Sequence, residues 1–286
     1  MQIVHTSAAL KNCLKDYAKI ALVPTMGNLH AGHLQLVELA KQQADCVVVS
    51  IFVNPLQFDS LIDLEKYPRT LVDDCKRLEQ VGASIVFVPS VEEMYPDFDG
   101  QSLNQSMMVT PPPIAAELCG ASRPGHFTGV TTVVAKLFHM VQPDIAIFGK
   151  KDFQQLFIIR ELVKQLNFAI TIIAGDIVRE ASGLAMSSRN GHFNTHQATQ
   201  AAQLNHALRM AVKHAQSSNI DYSTIETKTA EALIKQGWQI DYISIRDALS
   251  LKPATKYDTQ LVILAAATLA NVRLIDNIEF CAKPFN

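Results

Sequence analysis

The sequence contains no hydrophobic run long enough to cross a bilayer and no block of basic residues. The apolar run at 261–270 is much shorter than the ~20 residues of a membrane helix, so we expect a core strand there. Residues 1–5 show no basic segment leading into an apolar one, so no signal peptide is predicted. With a net charge of −2, the chain has no basic surface that would favour nucleic acid. We therefore expect neither a membrane nor a nucleic-acid partner.

Cysteine is also sparse, and its pattern excludes a disulfide framework. The five cysteines are an odd number, are scattered, and form no close pair at metal-ligand spacing. They predict reduced, mostly buried thiols in a cytoplasmic protein. The 286 residues are 48% hydrophobic and 18% charged, which is typical of a globular chain with one large domain or two smaller ones.

The residues that are present build a strand, turn, helix and strand near the amino terminus. The apolar run at 20–23 predicts a buried strand closed by Pro24, residues 33–40 a helix, and residues 46–52 a second strand. Such a βαβ unit places a ligand at the carboxyl end of its first strand. The start of the helix near Gly32 supplies backbone N–H groups and a positive dipole end, which suit a phosphate.

Two histidines lie in that turn, three residues apart. His30 and His33 can therefore point their imidazoles at the same anion. Gly27 and Gly32 have the spacing of a P-loop, but the Lys and Ser or Thr that a P-loop needs are missing. A His-x-Gly-His turn is instead typical of enzymes that transfer nucleotidyl groups at the α-phosphate of ATP. The alternative is two histidines that cap the start of a helix.

Polar turns also follow two other predicted strands. Asn54 and Gln57, after the strand at 46–52, can hydrogen-bond a small hydroxylated ligand or form an ordinary turn. After the strand at 143–148, at least one of Lys150 and Lys151 should lie beside the ligand crevice. Asp152 is suited to cap the next helix.

Three further segments carry candidate groups. Residues 186–189 combine two hydroxyls, backbone donors and an arginine, a set that suits the β- and γ-phosphates. Asp73 and Asp74 fit the first turn of a helix, and Asp74 is the candidate Mg²⁺ ligand. Residues 119–127 predict either an ordered turn near an anion or a plain tight loop. The irregular stretch at 92–113 predicts a long surface excursion, a type of loop that is often functional.

The order of elements predicts the fold class. Strands and helices alternate up to residue 174, and Gly175-Asp176 marks a boundary. Helices at 195–217 and 222–236 follow, and then strands near 240–246, 259–268 and 271–278. We expect an α/β domain with a parallel sheet over residues 1–175 and a smaller α+β domain over residues 176–286.

Six ordered segments resemble the pantothenate synthetase (pantoate–β-alanine ligase) family over essentially the full length of the chain. They are Pro24-Thr25-Met26-Gly27 through His33, residues 52–58, Tyr67-Pro68-Arg69-Thr70, residues 122–127, Phe148-Gly149 with Lys151-Asp152 and Gln154-Gln155, and Arg179-Glu180 through Ser187-Ser188-Arg189-Asn190. Six motifs in order are far more specific than the histidine turn alone.

The resemblance implies an enzyme that condenses (R)-pantoate with β-alanine to give pantothenate. ATP and pantoate would first form pantoyl adenylate and pyrophosphate, and β-alanine would then displace AMP. Residues 1–175 would be a Rossmann-like nucleotidyl-transfer domain that binds ATP and pantoate, and residues 176–286 a C-terminal lid. Mg²⁺ is implied beside ATP, and a homodimer is the implied assembly.

The resemblance also implies roles for individual residues, in three sets. The ATP-binding set is Met26, Gly27, Asn28, Leu29, His30, Ala31, Gly32, His33, Gly149, Lys150, Lys151 (phosphate), Asp152 (ribose), Val178 (adenine, through its backbone), Met186, Ser187, Ser188 and Arg189. The catalytic set within it is His30, His33 as proton donor, Lys151, Ser187, Ser188 and Arg189. The substrate set is Gln57 for pantoate and β-alanine, Gln155 for pantoate, Asn54 and Pro24.

The sequence departs from the family pattern at two positions. Lys150 stands where the family usually has Glu, and we expect only its backbone to matter at the ATP site. Thr128 replaces a common basic residue, which we expect to be minor. Two rival functions are a related enzyme with a nucleotide product and an RNA-binding, synthetase-like module. The additional amide set of Asn54, Gln57 and Gln155 argues against the first rival, and the near-neutral charge argues against the second.

Overall fold

The computed structural model describes residues 1–217 and 221–282 and divides them between two compact units. The first unit comprises Met1–Lys150 and Ile158–Asp176, and the second comprises Lys151–Phe157 and the chain from Ile177 onward. The short segment Lys151–Phe157, which we expected within the domain at 1–175, is thus grouped with the second unit.

The secondary structure alternates as the apolar pattern predicts. The strands are β1 Gln2–Val4, β2 Ile20–Thr25, β3 Cys46–Ile51, β4 Ile85–Phe87, β5 Ile145–Gly149, β6 Thr171–Gly175, β7 Gln239–Asp247, β8 Gln260–Leu269 and β9 Val272–Cys281. The helices are α1 Ser7–Leu14, α2 Ala31–Lys41, α3 Leu61–Lys66, α4 Leu71–Val81, α5 Val91–Met94, α6 Cys119–Ser122, α7 His126–Val141, α8 Phe153–Gln165, α9 Thr195–Ala201, α10 Gln203–Ser217 and α11 Tyr222–Ile234. Single 3₁₀ turns lie at Pro55–Gln57, Pro113–Ala116, Lys150–Asp152 and Asn190–His192.

The first unit is a doubly wound parallel sheet. Its strand order is β1-β4-β3-β2-β5-β6, and every pairing is parallel. The order reverses where β2 lies between β3 and β5, with Leu22 paired to both Val48 and Ala146. In open α/β sheets the ligand crevice lies outside the carboxyl ends of the strands at such a switch point. The turns that follow β2 and β5 therefore border the expected crevice, and the predicted α/β class is confirmed.

Burial explains why these segments form central strands. All six residues of β3 are buried, and the run Val47, Val48 and Val49 is at most 2% exposed. Strands covered by helices on both faces are apolar throughout, rather than alternating, and β-branched residues suit the pleated backbone. Helix α2 adds Val37 and Ala40 to this core, which fixes the start of α2 against the end of β2.

The second unit is built on the antiparallel sheet β7-β8-β9. Leu204 and Leu208 of α10 and the single tryptophan, Trp238, belong to a core cluster with Ile263 and Leu274 of the sheet. The predicted smaller α+β domain is therefore present as a separate core. Among the described helices, none is sufficiently long and apolar to span a membrane.

Several elements differ from the sequence predictions. Helix α7 begins at His126 rather than at Val130, because Gly125 adopts a left-handed conformation there. The single helix expected over 195–217 is two helices, α9 and α10. Ala202, the residue between the two helices, keeps a right-handed helical backbone. The spacing of apolar residues therefore continues from α9 into α10, and the sequence pattern does not reveal the break. The stretch at 92–113 includes the end of the short helix α5.

Candidate active site

The turn after β2 is held by its own side chains and by its neighbour β3. Thr25 Oγ1 donates to the carbonyl of Ser50 at 2.8 Å and accepts from the N–H of Gly27 at 3.2 Å. Gly27 has φ +81°, and a Cβ there would lie 3.1 Å from both Asp74 Oδ2 and Ile51 Cγ2. Only glycine combines that backbone conformation with so close an approach. The turn is therefore a fixed feature of the sheet edge.

Asp74 of α4 anchors the same turn from the other side. The side chain is 2% exposed, and Oδ1 and Oδ2 accept from the N–H groups of Leu29 at 2.8 Å and Asn28 at 2.9 Å. Thr70 Oγ1 donates to Oδ2 at 3.0 Å. In the described part of the chain, no group of three or more His, Cys, Asp or Glu side chains could hold a metal ion. The donors around Asp74 fit an anchor for the turn better than the Mg²⁺ ligand that we expected.

His30 and His33 form a reciprocal cap at the start of α2. His30 Nδ1 accepts from the N–H of Gly32 at 3.1 Å, and His33 Nδ1 accepts from the N–H of His30 at 3.2 Å. The ring centroids are 4.1 Å apart. A neutral imidazole that accepts at Nδ1 carries its proton on Nε2. The capping alternative is therefore correct for the Nδ1 atoms, and the neutral tautomer of each ring carries its N–H at Nε2.

Asn54 is buried beneath the turn at Pro55–Gln57 and is 1% exposed. Its Nδ2 donates to Gln57 Oε1 at 3.0 Å and to the carbonyl of Gly129 at 3.1 Å. Its Oδ1 accepts from the Tyr95 hydroxyl at 2.6 Å and from the N–H of Leu56 at 3.3 Å. These four bonds use the amide's full capacity. Asn54, which we expected to touch the substrate, instead orients the Gln57 side chain.

The main chain at Gln57 is clamped by the segment at 122–127. Arg123 Nη2 donates to the Gln57 carbonyl at 3.0 Å, and His126 Nδ1 donates to it at 2.9 Å. Arg123 also pairs with Asp59 at 3.1 Å. A Cβ on Gly129 would lie 2.3 Å from the Leu56 carbonyl oxygen, so the helix can approach the turn this closely only with glycine. The ordered-turn interpretation holds for this segment, and the groups that it contacts here belong to the chain itself.

The structure brings two of the predicted site segments into contact. Gln57 Nε2 donates to Met26 Sδ at 3.0 Å, which joins the turn after β3 to the turn after β2. Pro24 lies in β2, where it pairs with Ser50 of β3. The excursion at 98–106 and the segment at 55–60 line a cavity of about 970 Å³. The polar turns and the long loop thus share one edge of the first unit.

The turn after β5 carries Lys150, one of the two positions at which the sequence departs from the pattern that it resembles. Gly149 ends β5, and the Lys150 ammonium pairs with Asp176 at 3.0 Å. The Lys150 side chain is 30% exposed and that of Asp176 is 79% exposed, so this is a surface pair. Asp152 is exposed and directly precedes α8.

Lys151 and the loop at 178–189 lie together in the second unit. Lys151 Nζ donates to the Met186 carbonyl at 2.6 Å. Burial lowers the pKa of Lys151, the charges of Asp152 and Asp276 raise it, and those of Arg189 and Arg179 lower it. Gln155, expected to bind pantoate, lies half-buried on the first turn of α8.

The loop itself is a narrow hairpin. The N–H of Met186 donates to the Val178 carbonyl at 2.9 Å, and Arg179 bridges to Ala185. Ser187 Oγ accepts from the N–H of Arg189 at 3.2 Å. Ser187 and Ser188 are half-buried, and Arg189 is exposed. The predicted hydroxyls and the guanidinium therefore lie directly after a folded hairpin, in the turn that leads into Asn190–His192.

Sequence reasoning missed Asp276 and Asn277 in the middle of β9. Asp276 accepts from both Arg179 Nη1 at 2.8 Å and Nη2 at 2.9 Å. Asn277 Nδ2 donates to the Lys151 carbonyl at 2.9 Å. The adjacent Asp276 and Asn277, between the apolar Ile275 and Ile278, were the available signal, because buried polar side chains need specific partners. Tyr95, which holds Asn54, gave no comparable signal.

The fold and these groups define a class of protein. A doubly wound parallel sheet with a paired-histidine turn at its switch point is the Rossmann-like α/β fold of the nucleotidyl-transfer type.

Comparison with known proteins specifies the family. The family model described as pantoate-beta-alanine ligase matches residues 2–279. A pantothenate synthetase of Methylobacillus flagellatus is 58% identical over 98% of this chain and 99% of its own length. A pantothenate synthetase structure from Thermus thermophilus has a TM-score of 0.89 at 38% identity, covering 97% of this chain and 99% of its own. The chain belongs to the pantoate–β-alanine ligase family.

A third relative is informative about ligands. It is the pantoate-beta-alanine ligase of Francisella tularensis, whose structure is described as a complex with beta-gamma ATP and beta-alanine. It is 33% identical, covers 97% of each chain and has a TM-score of 0.79.

Proposed function

We propose that the chain carries out its family's reaction in two steps on the residues described above. The enzyme is an ATP-dependent ligase that joins (R)-pantoate to β-alanine. First, a pantoate carboxylate oxygen bonds to the α-phosphorus of ATP, and the bond to the β-phosphate breaks to release pyrophosphate. Second, the β-alanine nitrogen bonds to the acyl carbon, the acyl C–O bond breaks, and AMP leaves with that oxygen. The β-alanine ammonium loses one proton to become the attacking amine and a second as the amide forms, and both protons pass to solvent.

The histidine turn would act in the first step. Attack at the α-phosphorus gathers negative charge on its oxygens, and N–H donors already in place stabilise such charge best. His30 and His33 carry their protons on Nε2 because their Nδ1 atoms accept main-chain bonds. His33 would also pass a proton to the reacting phosphates. Residues 26–33 would thus form the wall of the ATP site.

The second unit would supply the remaining phosphate contacts. Lys151 would exchange the Met186 carbonyl for a phosphate oxygen, and Ser187, Ser188 and Arg189 would bind the β- and γ-phosphates. Asp152 would bind the ribose and Val178 the adenine through its backbone, with main-chain contacts from Gly149 and Lys150. A closing lid would protect the acyl adenylate from water, which suits residues 176–286 as the lid of the domain at 1–175.

The amide groups would hold the two small substrates. Gln57 would bind pantoate and then β-alanine, Gln155 would bind pantoate, and Pro24 would line the same site. Asn54 would contribute by orienting Gln57, since its own hydrogen-bonding positions are used internally.

Three further expectations belong to this proposal. Mg²⁺ would arrive with the triphosphate and water as its ligands, a common mode for this ion. A cytoplasmic location suits an enzyme that consumes ATP and has five free cysteines. A homodimer is expected from the family resemblance, and light scattering coupled to gel filtration tests it, with a monomer mass at micromolar concentration contradicting it.

The contact between Gln57 and Met26 supports the proposal most strongly. It joins the side-chain amide that we propose to bind pantoate to the histidine turn that we propose to bind ATP. The test measures pyrophosphate released from ATP with pantoate alone, with β-alanine alone, and with a mononucleotide or tRNA. We expect release with pantoate alone. With ¹⁸O in the pantoate carboxylate, AMP should gain one labelled oxygen after β-alanine is added. Unlabelled AMP would contradict the adenylate, and release that depends on a mononucleotide or tRNA would contradict the ligase function.

A further inference from the structure

We infer that Asp276 and Asn277 of β9 are positioning residues for adenylate formation, because they fix the hairpin and the lysine that would bind the phosphates. The inference rests on the proposed roles of Lys151 and of residues 186–189. All of the contacts that carry it lie within the second unit.

Asp276 fixes the hairpin through Arg179. The carboxylate is 4% exposed and forms a bidentate pair with Arg179, whose Nη1 also donates to the Gly183 carbonyl at 3.1 Å. Asn205 Nδ2 donates to Asp276 Oδ2 at 3.0 Å. Arg179 thus ties both the base and the tip of the hairpin to one buried carboxylate. The next residue along the strand, Asn277, completes the arrangement.

Asn277 fixes the main chain at Lys151. It is 3% exposed, and its Nδ2 donates to the Lys151 carbonyl at 2.9 Å. The Lys151 ammonium in turn donates to the Met186 carbonyl, at the start of the serine-arginine segment. Two successive residues of one strand therefore set the positions of the lysine and of the loop that carries Ser187, Ser188 and Arg189.

Stability alone does not account for this pair. A buried ion pair contributes little net stability compared with well-packed apolar residues of similar volume. Its value lies in geometry, since a bidentate guanidinium-carboxylate pair holds one orientation. A displacement of about 1 Å at a reacting centre can cost about 10²-fold in rate, so geometry at the phosphate groups has a direct catalytic consequence.

The charges around Lys151 allow a second test, which is the pH dependence of activity. The charged groups that act on Lys151 are Asp152 and Asp276, which raise its pKa, and Arg179 and Arg189, which lower it. Burial already lowers the Lys151 pKa. Removing the charge of Asp276 should lower it further, and Lys151 must be protonated to bind phosphate. The alkaline fall in activity should then move to lower pH.

The experiment compares Asp276→Asn and Asn277→Ala with the matched control Asp241→Asn. Asp241 of β7 pairs at 2.7 Å with Arg273 of β9, the strand that also carries Asp276 and Asn277, and Asp241 has no part in the hairpin. We expect kcat for pantoate-dependent pyrophosphate release to fall by about 10²-fold in both test variants, with little change in the KM for pantoate. The alkaline limb should shift to lower pH in Asp276→Asn only, and Asp241→Asn should behave as wild type.

The outcomes separate this inference from the proposed function. Wild-type kcat and pH profile in both test variants would overturn the positioning role. ATP affinity tests the positioning role without any turnover. It is measured by calorimetry on variants that circular dichroism shows to be folded. If the wild-type enzyme binds ATP but releases no pyrophosphate with pantoate, the proposed function fails. Weaker ATP binding by both test variants then still supports positioning, and unchanged binding overturns it.

Discussion

The paired imidazoles show how main-chain bonds decide the chemistry of a side chain. Each ring accepts a backbone N–H at Nδ1, so the ring orientation and the location of its proton are set before any ligand binds. The same two residues thus cap the helix and carry the imidazole N–H groups that we propose for the reaction.

His33→Ala should lower the rate of pantoate-dependent pyrophosphate release by about 10²–10³, the usual loss for one transition-state donor. The fold should persist, because one capping bond is worth only about 1 kcal/mol. The control is His206→Ala, an exposed histidine of α10. Wild-type turnover in His33→Ala, measured as pyrophosphate release with circular dichroism as a check, would remove His33 from the mechanism.

Lys150→Glu introduces the residue that the family resemblance leads us to expect at this position, and we expect only a modest change in activity. The pair with Asp176 is largely exposed, and such pairs contribute about 0–1 kcal/mol. Steady-state kinetics with varied ATP checks this. A large gain in kcat/KM would mean that the natural lysine impairs catalysis, contrary to our expectation.

The candidate site residues that the sequence suggests are those with a local signature. Three segments have such a signature: the histidine turn, the lysines after β5 and the serine-arginine segment. Within each segment, the candidate residues are only a few positions apart in sequence. Asp276 and Asn277 were missed because their partners, Arg179 and Lys151, are 97 and 126 residues away in sequence. The apolar neighbours in β9 predict a strand and give no information about such distant contacts.

Helix α4 connects to the turn after β2 through a single carboxylate. Asp74 accepts three hydrogen bonds, from Asn28, Leu29 and Thr70. These bonds hold the helix and the turn together. Its neighbour Asp73 lies in the same helical turn, is exposed, and pairs only loosely with Lys76 at 3.4 Å.

Asp74→Asn should destabilise the protein by about 1–3 kcal/mol, since an amide nitrogen would face backbone donors that need an acceptor. Asp73→Asn, the matched control, should change stability by less than about 0.5 kcal/mol. Thermal unfolding measures both. If Asp74→Asn kept wild-type stability but required more Mg²⁺ for activity, Asp74 would be a metal ligand after all.

Elements were more predictable than their boundaries. The β-branched runs of β2, β3 and β5 identify buried strands without further information. The start of α7 was placed too late, because the residues before Val130 carry little apolar pattern and Gly125 determines the helix start through its backbone. Close packing against the turn at Pro55–Gln57 explains Gly129, which sequence alone presents only as a weak helix former.

At the scale of the whole chain, two separate cores predict two unfolding transitions. The cluster around Trp238 lies in the second unit, and that around Val37 and Val49 lies in the first. Multi-domain chains commonly depart from two-state unfolding. Fluorescence of the single tryptophan should follow only the second unit, whereas far-ultraviolet circular dichroism follows both. We expect different denaturant midpoints from the two probes, and coincident curves would contradict the prediction.

The division of the chain could be anticipated only in part. The change from alternating strands and helices to helices followed by strands is visible in the sequence near Gly175. The grouping of Lys151–Phe157 with the second unit is not, since it depends on contacts such as that between Lys151 and Asn277. The functions that we assign to the two regions remain predictions.

The bond between Lys151 and Met186 has a consequence for nucleotide selectivity. The Met186 carbonyl accepts from one of the three N–H donors of the Lys151 ammonium, so a ligand that took the place of this carbonyl would exchange one acceptor for another. Only the difference between the two acceptors would then add to affinity. An anionic phosphate oxygen is a much better acceptor than a neutral amide oxygen, whereas the hydroxyl of a nucleoside is not. If Lys151 binds a phosphate as proposed, adenosine should compete poorly with ATP, which competition binding measures.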